Sequence, residues 1–562
     1  MNGFFRSSIP PKCTNSCTSL YAALLDDVEN LLPSYNSNTF DRYTILNGIV
    51  TNSIHLKVLP TLGKAFESCL ITGERFILPP DYTGEVMFKL PRLLYQLSAC
   101  LIDPVSGLPH WKLCGTCTSA REKLWAATYF RCLRQICFAY SKYRSGSVVI
   151  SPGDREKVRD RLCREKFSLD KADHSVLRIA RRLLRHATCD ASGNLLPLLK
   201  EYRDTPWGKH GPGAVEDGST GGYKWDFCIP LGMRQTLFKY RANLPNFPVR
   251  KDTGASRLTA VPKDFRGPRY ICIEPKEKQF AQQGLMHTLY KLVQSNPVTM
   301  YEIDFQDQLV SQEVCRSPSC ATIDLKDASD LVSLKLVKYL FDKRLYKLFS
   351  EYRTPFIHLD GADTKAHNVL KCFASMGSAL CFPVETLVFW AISSAASYLQ
   401  LGRAGRVRCF GDDIIVERNA APRVLSALSS CGLVINKTKT CVDTPIRESC
   451  GAYWFYGYDV VVTNIKTDQF KSVDTWQACV KYAQQLERNC FFRASKAMAS
   501  LGDKFFPIDD SFLFYSRGVK CNHRWNRDLH RSELLLPCNA KYRMRDAVFN
   551  YERLYCAYNG NP

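Results

Sequence analysis

A chain of 562 residues with 45% hydrophobic and 23% charged side chains is long enough for several subdomains with substantial cores, and its balance excludes a disordered or fibrous protein. The 76 Lys and Arg against 54 Asp and Glu leave a formal charge of +22. That excess favours a polyanionic partner, with nucleic acid ahead of an anionic membrane surface. Residues Met1 to Pro10 contain no continuous apolar run, which argues against a cleaved secretion signal, so the 25 cysteines read as reduced thiols in a cytoplasmic protein.

In chain order, Ser16 to Leu32 has helical apolar spacing through Leu20, Leu24, Leu25, Val28, Leu31 and Leu32, and Pro33 ends it. His110, Cys114 and Cys117 come closest to a zinc-ligand spacing, but no second tight pair lies beside them, and whether they bind zinc stays open. Ala120 to Tyr143 predicts a basic amphipathic helix. Arg178, Arg181, Arg182 and Arg185 alternate with Val176, Leu177, Ile179, Leu183 and Leu184, so one helix face is expected to be buried and the other basic. Aromatics are sparse in this stretch, and base stacking is not indicated there.

From Pro206 the composition shifts to Gly, Pro and aromatics. The glycines of His210 to Ala214 and Gly218 to Gly222 do not match a Walker loop, and a flexible connection explains them more simply. Two short strands, Leu258 to Val261 and Tyr270 to Ile273, bracket a loop carrying Lys263, Arg266 and Arg269. Three cations on one loop suit a triphosphate, or an ordinary basic hairpin.

Ala321 to Leu325 reads as a buried strand that ends on Asp324, either a rigidly held metal ligand or a structural cap. A helix through Leu331, Leu334, Val337, Leu340 and Phe341 is expected next, capped by Ser329 or Asp327. Ala374 to Ser378 is a small-residue loop before an apolar helix. The window 379–401 holds Pro383, Glu385, Gln400 and several serines, so that helix reads as buried rather than membrane-spanning. Val407 to Val416 then places two β-prone runs around Gly411-Asp412-Asp413. This predicts a hairpin with both acids at its tip, which is either a solvated turn or a site for a divalent cation. A helix over Ala421 to Ser430 leads to Lys437 and Lys439, and Tyr453 to Val462 is strand-like.

Taken in order, these motifs resemble those of RNA-dependent RNA polymerases, and more narrowly the replicase subunit of the positive-strand RNA bacteriophages (leviviruses). The narrower resemblance rests on Ala321-Thr322-Ile323-Asp324-Leu325 with Ala328-Ser329-Asp330, Ser375-Met376-Gly377, Phe410 to Ile415 and Arg447-Glu448-Ser449-Cys450-Gly451. Val261-Pro262-Lys263, Ile273-Glu274-Pro275 and His210 to Ala214 add to it, and it spans residues 206–465. The chain departs from many viral RNA polymerases in three ways. Asp330 lies six residues after Asp324 rather than five, Glu385-Thr386 stands where an Asn is common, and Phe410 replaces the frequent Tyr.

The resemblance implies an α+β fold of the right-hand polymerase type, with fingers, palm and thumb and a helix-rich N-terminal part. It divides the chain into 1–205 (basic helical region), 206–315 (fingers with an NTP-entry loop), 316–465 (palm) and 466–562 (thumb and C-terminal region). It implies RNA-templated RNA synthesis with two Mg²⁺ ions, Mn²⁺ being the alternative. Asp324 and Asp412 would be the principal ligands, supported by Asp413 and the Leu325 carbonyl. Lys263, Arg266 and Arg269 would neutralise the triphosphate, and Lys437 or Lys439 would protonate pyrophosphate. Asp330 with Ser375, Met376 and Gly377 would test the ribose 2′-OH.

The implied partners are template and product RNA, NTPs, and host elongation factors Tu and Ts with a small-subunit ribosomal protein. No membrane is implied, and the place of action is the cytoplasm of an infected bacterium. The basic N-terminal half is expected to hold RNA electrostatically. Two rivals stand beside this reading. A reverse transcriptase is disfavoured by Gly411, where such enzymes usually carry a bulky apolar residue; a non-catalytic RNA-binding protein is disfavoured by intact Asp324, Asp412 and Asp413. The geometric expectation is that Asp324 and Asp412 lie within reach of the same ions.

Overall fold

The computed structural model describes residues 15–31, 57–79, 92–115, 117, 119–143, 151–226, 229–230, 249–250, 254–358, 368–467, 473–503, 523–526 and 531–534. The chain forms two compact units, neither of them a single stretch. The first gathers Met1–Ser147, Pro262–Pro268 and Trp454–Tyr542; the second gathers Val148–Val261, Arg269–Tyr453 and Arg543–Pro562. Both contain helices and strands, so the fold is α+β. The described cysteines are all free thiols, most of them buried.

In the first unit, helices Asn15–Leu31, Val58–Thr72 and Ala120–Phe138 pack together. Asp27 accepts hydrogen bonds from the backbone N–H groups of Arg493 (2.9 Å) and Ala494 (2.8 Å), tying the first helix to the N-terminus of helix Phe492–Asp503. Buried Arg134 donates to Glu67 at 2.8 Å. Burial alone would raise the Glu67 pKa, but Lys64 and Arg134 outweigh it and hold the carboxyl below its ordinary value. The basic helix predicted to Tyr143 ends at Phe138.

The second unit positions the candidate site, and its elements follow in chain order. Helix α1 (Pro152–Cys163) precedes α2 (His174–Thr188), whose first turn is capped by Asp173 accepting from the N–H groups of Ser175 and Val176. Strands β1 (Ser256–Asp264) and β2 (Gly267–Ile273) form one hairpin, longer than the two strands expected from the sequence. Next come β3 (Cys320–Ile323), α3 (Leu334–Leu340), α4 (Cys381–Leu401), β4 (Val407–Phe410), β5 (Asp413–Glu417) and α5 (Ala421–Ser430).

Fifteen of the 21 residues of α4 are buried, so it is apolar all round because protein surrounds it. It packs against α2, α5 and β4. No helix among the described residues is long and apolar enough to cross a membrane. Trp390 is 1% exposed and donates its indole N–H to Glu302.

One element differs from expectation. The helix after Asp324 is broken into Ala328–Leu331 and α3, and neither Ser329 nor Asp327 caps it with a side-chain bond. The cause is tertiary. Phe373 N–H takes the Val332 carbonyl at 2.7 Å and Leu334 N–H bonds the Lys371 carbonyl at 2.9 Å, so the crossing segment occupies groups a continuous helix would need. Ser333 then starts α3 by accepting from Lys335 N–H at 3.0 Å.

Candidate active site

β5 is the central strand of a three-stranded antiparallel sheet, between β3 and β4. Ile323 pairs with Ile414 and Phe410 with Asp413. One step beyond the last β3 pair is Asp324, which therefore leaves the sheet at the end where β4 turns into β5. Gly411 makes that turn with φ +63°, and a Cβ there would meet the Phe382 ring at 2.6 Å. Its N–H donates to Thr386 Oγ1 at 3.1 Å, and the Phe410 ring packs edge-on against Phe382 with centroids 5.2 Å apart. Asp412 is exposed in the turn and Asp413 begins the return strand.

A further segment closes around Asp324. Thr322 and Cys441 exchange backbone hydrogen bonds of 3.0 and 2.8 Å, which brings the turn 436–440 alongside. Asn436 Nδ2 donates to Asp324 Oδ2 at 2.6 Å and Lys439 Nζ to Asp324 Oδ1 at 3.0 Å. Lys437 is exposed and makes no hydrogen bond or ion pair among the described residues, so the two lysines are not equivalent. Leu325 pairs with Ile435 in a two-residue antiparallel ladder.

The electrostatics of this corner are unbalanced. Partial burial, then the charges of Glu448 and Asp412, push the Asp413 pKa up to about 7. Although Asp412 is exposed at the turn, the protein packed around its carboxylate, then Asp324, raise its pKa, while Lys439 and Arg269 offset part of the rise. Burial alone would lower the Lys439 pKa, but Glu448, Asp324 and Asp413 outweigh it and raise it, so the ammonium stays charged. A set of oxygen donors with carboxylate pKa values displaced upward is chemically suited to a hard divalent cation. Among the described residues, however, no three His, Cys, Asp or Glu side chains stand together closely enough to hold a metal ion. The carboxylates are engaged by hydrogen bonds instead. Asn436 and Lys439 engage Asp324, and Asp413 accepts from Cys450 N–H at 3.1 Å. A cation at Asp324 must compete with those donors.

A second group lies on the same unit. Asp327 adopts a left-handed conformation, φ +49°, and Arg161 of α1 pairs with Asp327 at 3.0 Å and Asp330 at 2.8 Å. Burial raises the Asp330 pKa to about 6, Arg161 opposing the rise and Asp327 adding to it. The loop Ser375-Met376-Gly377 is docked on β2, the Met376 carbonyl accepting from Cys272 N–H at 2.8 Å. Gly377 has φ +115°, and a Cβ there would collide with the Cys272 carbonyl oxygen. The Cys272 thiol feels both Ser375 and Asp330, which places the loop and Asp330 in one neighbourhood. Buried Glu385 on α4 faces Asp412 and Asp330. Burial first, then Asp412, drive its pKa well above the ordinary carboxylate value.

The structure thus brings together Asp324, Asp412, Asp413 and Lys439, with the charge of Arg269 acting on Asp412. Lys263 and Arg266 belong to the hairpin tip, which groups with the first unit. There Asp264 pairs with Arg266 at 2.6 Å, so one of the loop's cations already has an anion. Sequence reasoning missed Arg161, Glu385, Asn436 and Glu448 as neighbours of the site. Glu448 lay inside one of the motifs that carry the resemblance, whereas nothing in the spacing of Arg161 singled it out. In the first unit, His110, Cys114 and Cys117 line a cavity of about 300 Å³. The His110 ring engages the Ala99 carbonyl at 2.8 Å, and no metal-binding set of three forms there among the described residues.

The sequence profile of "RNA replicase, beta-chain" matches residues 235–476. Over 247 residues the chain is 32% identical to the RNA-directed RNA polymerase subunit beta of Enterobacteria phage SP, covering 42% of each. Over 210 residues it is 35% identical to the RNA-directed RNA polymerase beta chain of Escherichia phage MS2, covering 37% of each. The aligned segment thus spans about two fifths of the relatives it matches. Among solved structures, the RNA-dependent RNA polymerase of a human picorbirnavirus aligns with TM-score 0.42 and 12% identity over 81% of this chain and 88% of that one. The profile match covers the strand of Asp324, the small-residue loop and the Gly411 turn, and over residues 235–476 the chain is similar to the RNA replicase beta-chain family.

Proposed function

We propose that this protein synthesises RNA on an RNA template in the replication of an RNA phage genome. The observation that carries the reading is the convergence of Asp324, Asp412 and Asp413 at one sheet end, with a charged lysine against them and too little positive charge to balance them. Two divalent ions such as Mg²⁺, when bound, supply activation of the 3′-hydroxyl and neutralisation of charge on the leaving oxygens. Asp324 and Asp412 would hold them, with Asp413 in support.

The chain's own groups account for the remaining steps. Arg269, beside Asp412, attracts the triphosphate and offsets its charge; Lys263 and Arg266 are assigned to the same role from the sequence alone. Lys439 carries the proton nearest the carboxylates and is the better donor to pyrophosphate than exposed Lys437. Asp330, held by Arg161, and the Ser375 to Gly377 loop read the ribose 2′-OH. The second unit would carry palm chemistry in a right-hand arrangement with fingers and thumb. The family resemblance adds host elongation factors Tu and Ts and a small-subunit ribosomal protein as partners, in the cytoplasm of an infected bacterium.

The test is Mg²⁺-dependent incorporation on an RNA template by the full chain, with and without host extract, using ribonucleotides and deoxyribonucleotides in parallel. Incorporation of ribonucleotides supports the reading; preference for deoxyribonucleotides, or no template-directed incorporation under any condition, overturns it. For sugar selection, Asp330→Asn is expected to lower the ratio of kcat/KM for an NTP over the matching dNTP by about 10-fold or more, because a site built around a hydroxyl loses discrimination when its polar partner changes. An unchanged ratio removes Asp330 from that role.

A further inference from the structure

The arginine face of α2 is not an isolated charged stripe. Arg178, Arg181, Arg182 and Arg185 are all exposed, and none forms an ion pair or hydrogen bond among the described residues. They line a cavity of about 650 Å³ together with the loop 192–194, Leu340 and residues 342–344. A second cavity, of about 900 Å³, adjoins it and is walled by residues 165–171 and 335–346. Each is lined by six Lys or Arg, with Arg181 and Lys343 common to both, so ten cations face three carboxylates: Asp342, Glu165 and Asp170.

Two of those carboxylates are already engaged. Asp342 pairs with Arg344 at 2.9 Å, and Glu165 accepts from Ser333 at 2.6 Å while standing 3.8 Å from Lys335. The arginines of α2 keep an unmatched positive charge. Aromatic surface is present as well: Arg181 lies over the Tyr339 ring at 5.6 Å, and Tyr339 and Tyr346 are half-buried in the wall of the second cavity. The groove shares no residue with the carboxylate site.

We propose that this groove is a second RNA-binding site, which holds single-stranded RNA with its phosphates on the α2 arginines and its bases against Tyr339 and Tyr346. A backbone-tracking row of cations beside partly exposed aromatic rings is the arrangement that binds single strands without reading sequence. An acidic protein would use the cations but has no need of the rings. The inference rests on the charge and shape of the groove and not on the polymerase reading, so the two fail separately.

The experiment measures binding of a labelled ~20-nucleotide single-stranded RNA to the full chain across a salt series, without nucleotides. The triple variant Arg178→Ala/Arg182→Ala/Arg185→Ala, all at exposed positions, is expected to lose at least ~10-fold in affinity. Its log–log salt slope should fall by about 2, since each phosphate that goes unneutralised takes about 0.7 from the slope. The corresponding triple Arg→Lys variant should retain the slope, and Tyr339→Leu should weaken binding several-fold with the slope unchanged. An unaltered slope and affinity in the Ala variant overturn the proposal. So does loss of binding to polyglutamate with RNA binding intact, which would make the groove a face for an acidic protein. An unaffected Tyr339→Leu overturns the stacking of bases there.

Discussion

Asp412→Asn is expected to reduce template-directed RNA synthesis by 10²–10³-fold or more, the loss that follows removal of one preorganised electrostatic group from a reacting centre. Folding should survive. Asp412 is exposed, and its charge is opposed by Asp324 and by the protein packed around the turn, so the amide removes a repulsion. The thermal midpoint should be unchanged or slightly higher. A variant with near-wild-type primer extension would sink the assignment.

The same substitution has a signature that needs no activity. Asp413, raised to about 7, binds its proton more tightly folded than unfolded. Without a cation it therefore subtracts stability as pH climbs from the ordinary aspartate range near 4 towards 7. A divalent ion has to displace that proton at low pH but not at high pH. Mg²⁺ should thus raise the midpoint of the wild type more at pH 7.5 than at pH 5.5, and raise that of Asp412→Asn less at either. Equal shifts at the two pH values would show that these carboxylates do not hold the ion.

The second large effect is on Gly377. With φ +115° and the Cys272 carbonyl in the path of any Cβ, Gly377→Ala combines backbone strain of about 1–3 kcal/mol with overpacking of a similar size. We expect a loss of stability on the order of 3 kcal/mol, read from the denaturant midpoint. RNA synthesis should fall with it, because the Met376–Cys272 hydrogen bond that docks the loop on β2 cannot survive the displacement. An unchanged midpoint with unchanged activity would mean that the loop has another resting place. Gly411→Ala is a milder case, since the Phe382 ring edge in its path yields more readily than a backbone carbonyl.

Much of the second unit was legible from period and punctuation. The β-prone apolar runs around Gly411 predicted β4, β5 and the turn between them, and α5 and the two strands around the basic loop were expected from the sequence as well. Apolar density marked α4 as buried, as it is. The break between Ala328–Leu331 and α3 was not legible, because the groups that interrupt the helix come from residues 371–373. A local pattern carries no trace of hydrogen bonds made from 37 and 41 positions away. The aromatic wall of the α2 groove was invisible for the same reason: base stacking was not indicated in the stretch of the α2 arginines, and Tyr339 and Tyr346 arrive from α3 and the segment after it.

By itself the sequence determined the chemistry available: hard oxygen donors on a glycine turn and at a strand end, a surplus of cations, and a family order of motifs over residues 206–465. Residue type and spacing are written directly in the chain. The tertiary structure alone decided which charges meet. It chose Lys439 over Lys437 for Asp324, gave Asp330 its partner in Arg161, and set Glu385 and Glu448 against the aspartates. Burial and through-space charge depend on elements that lie far apart in the chain, so no local window records them.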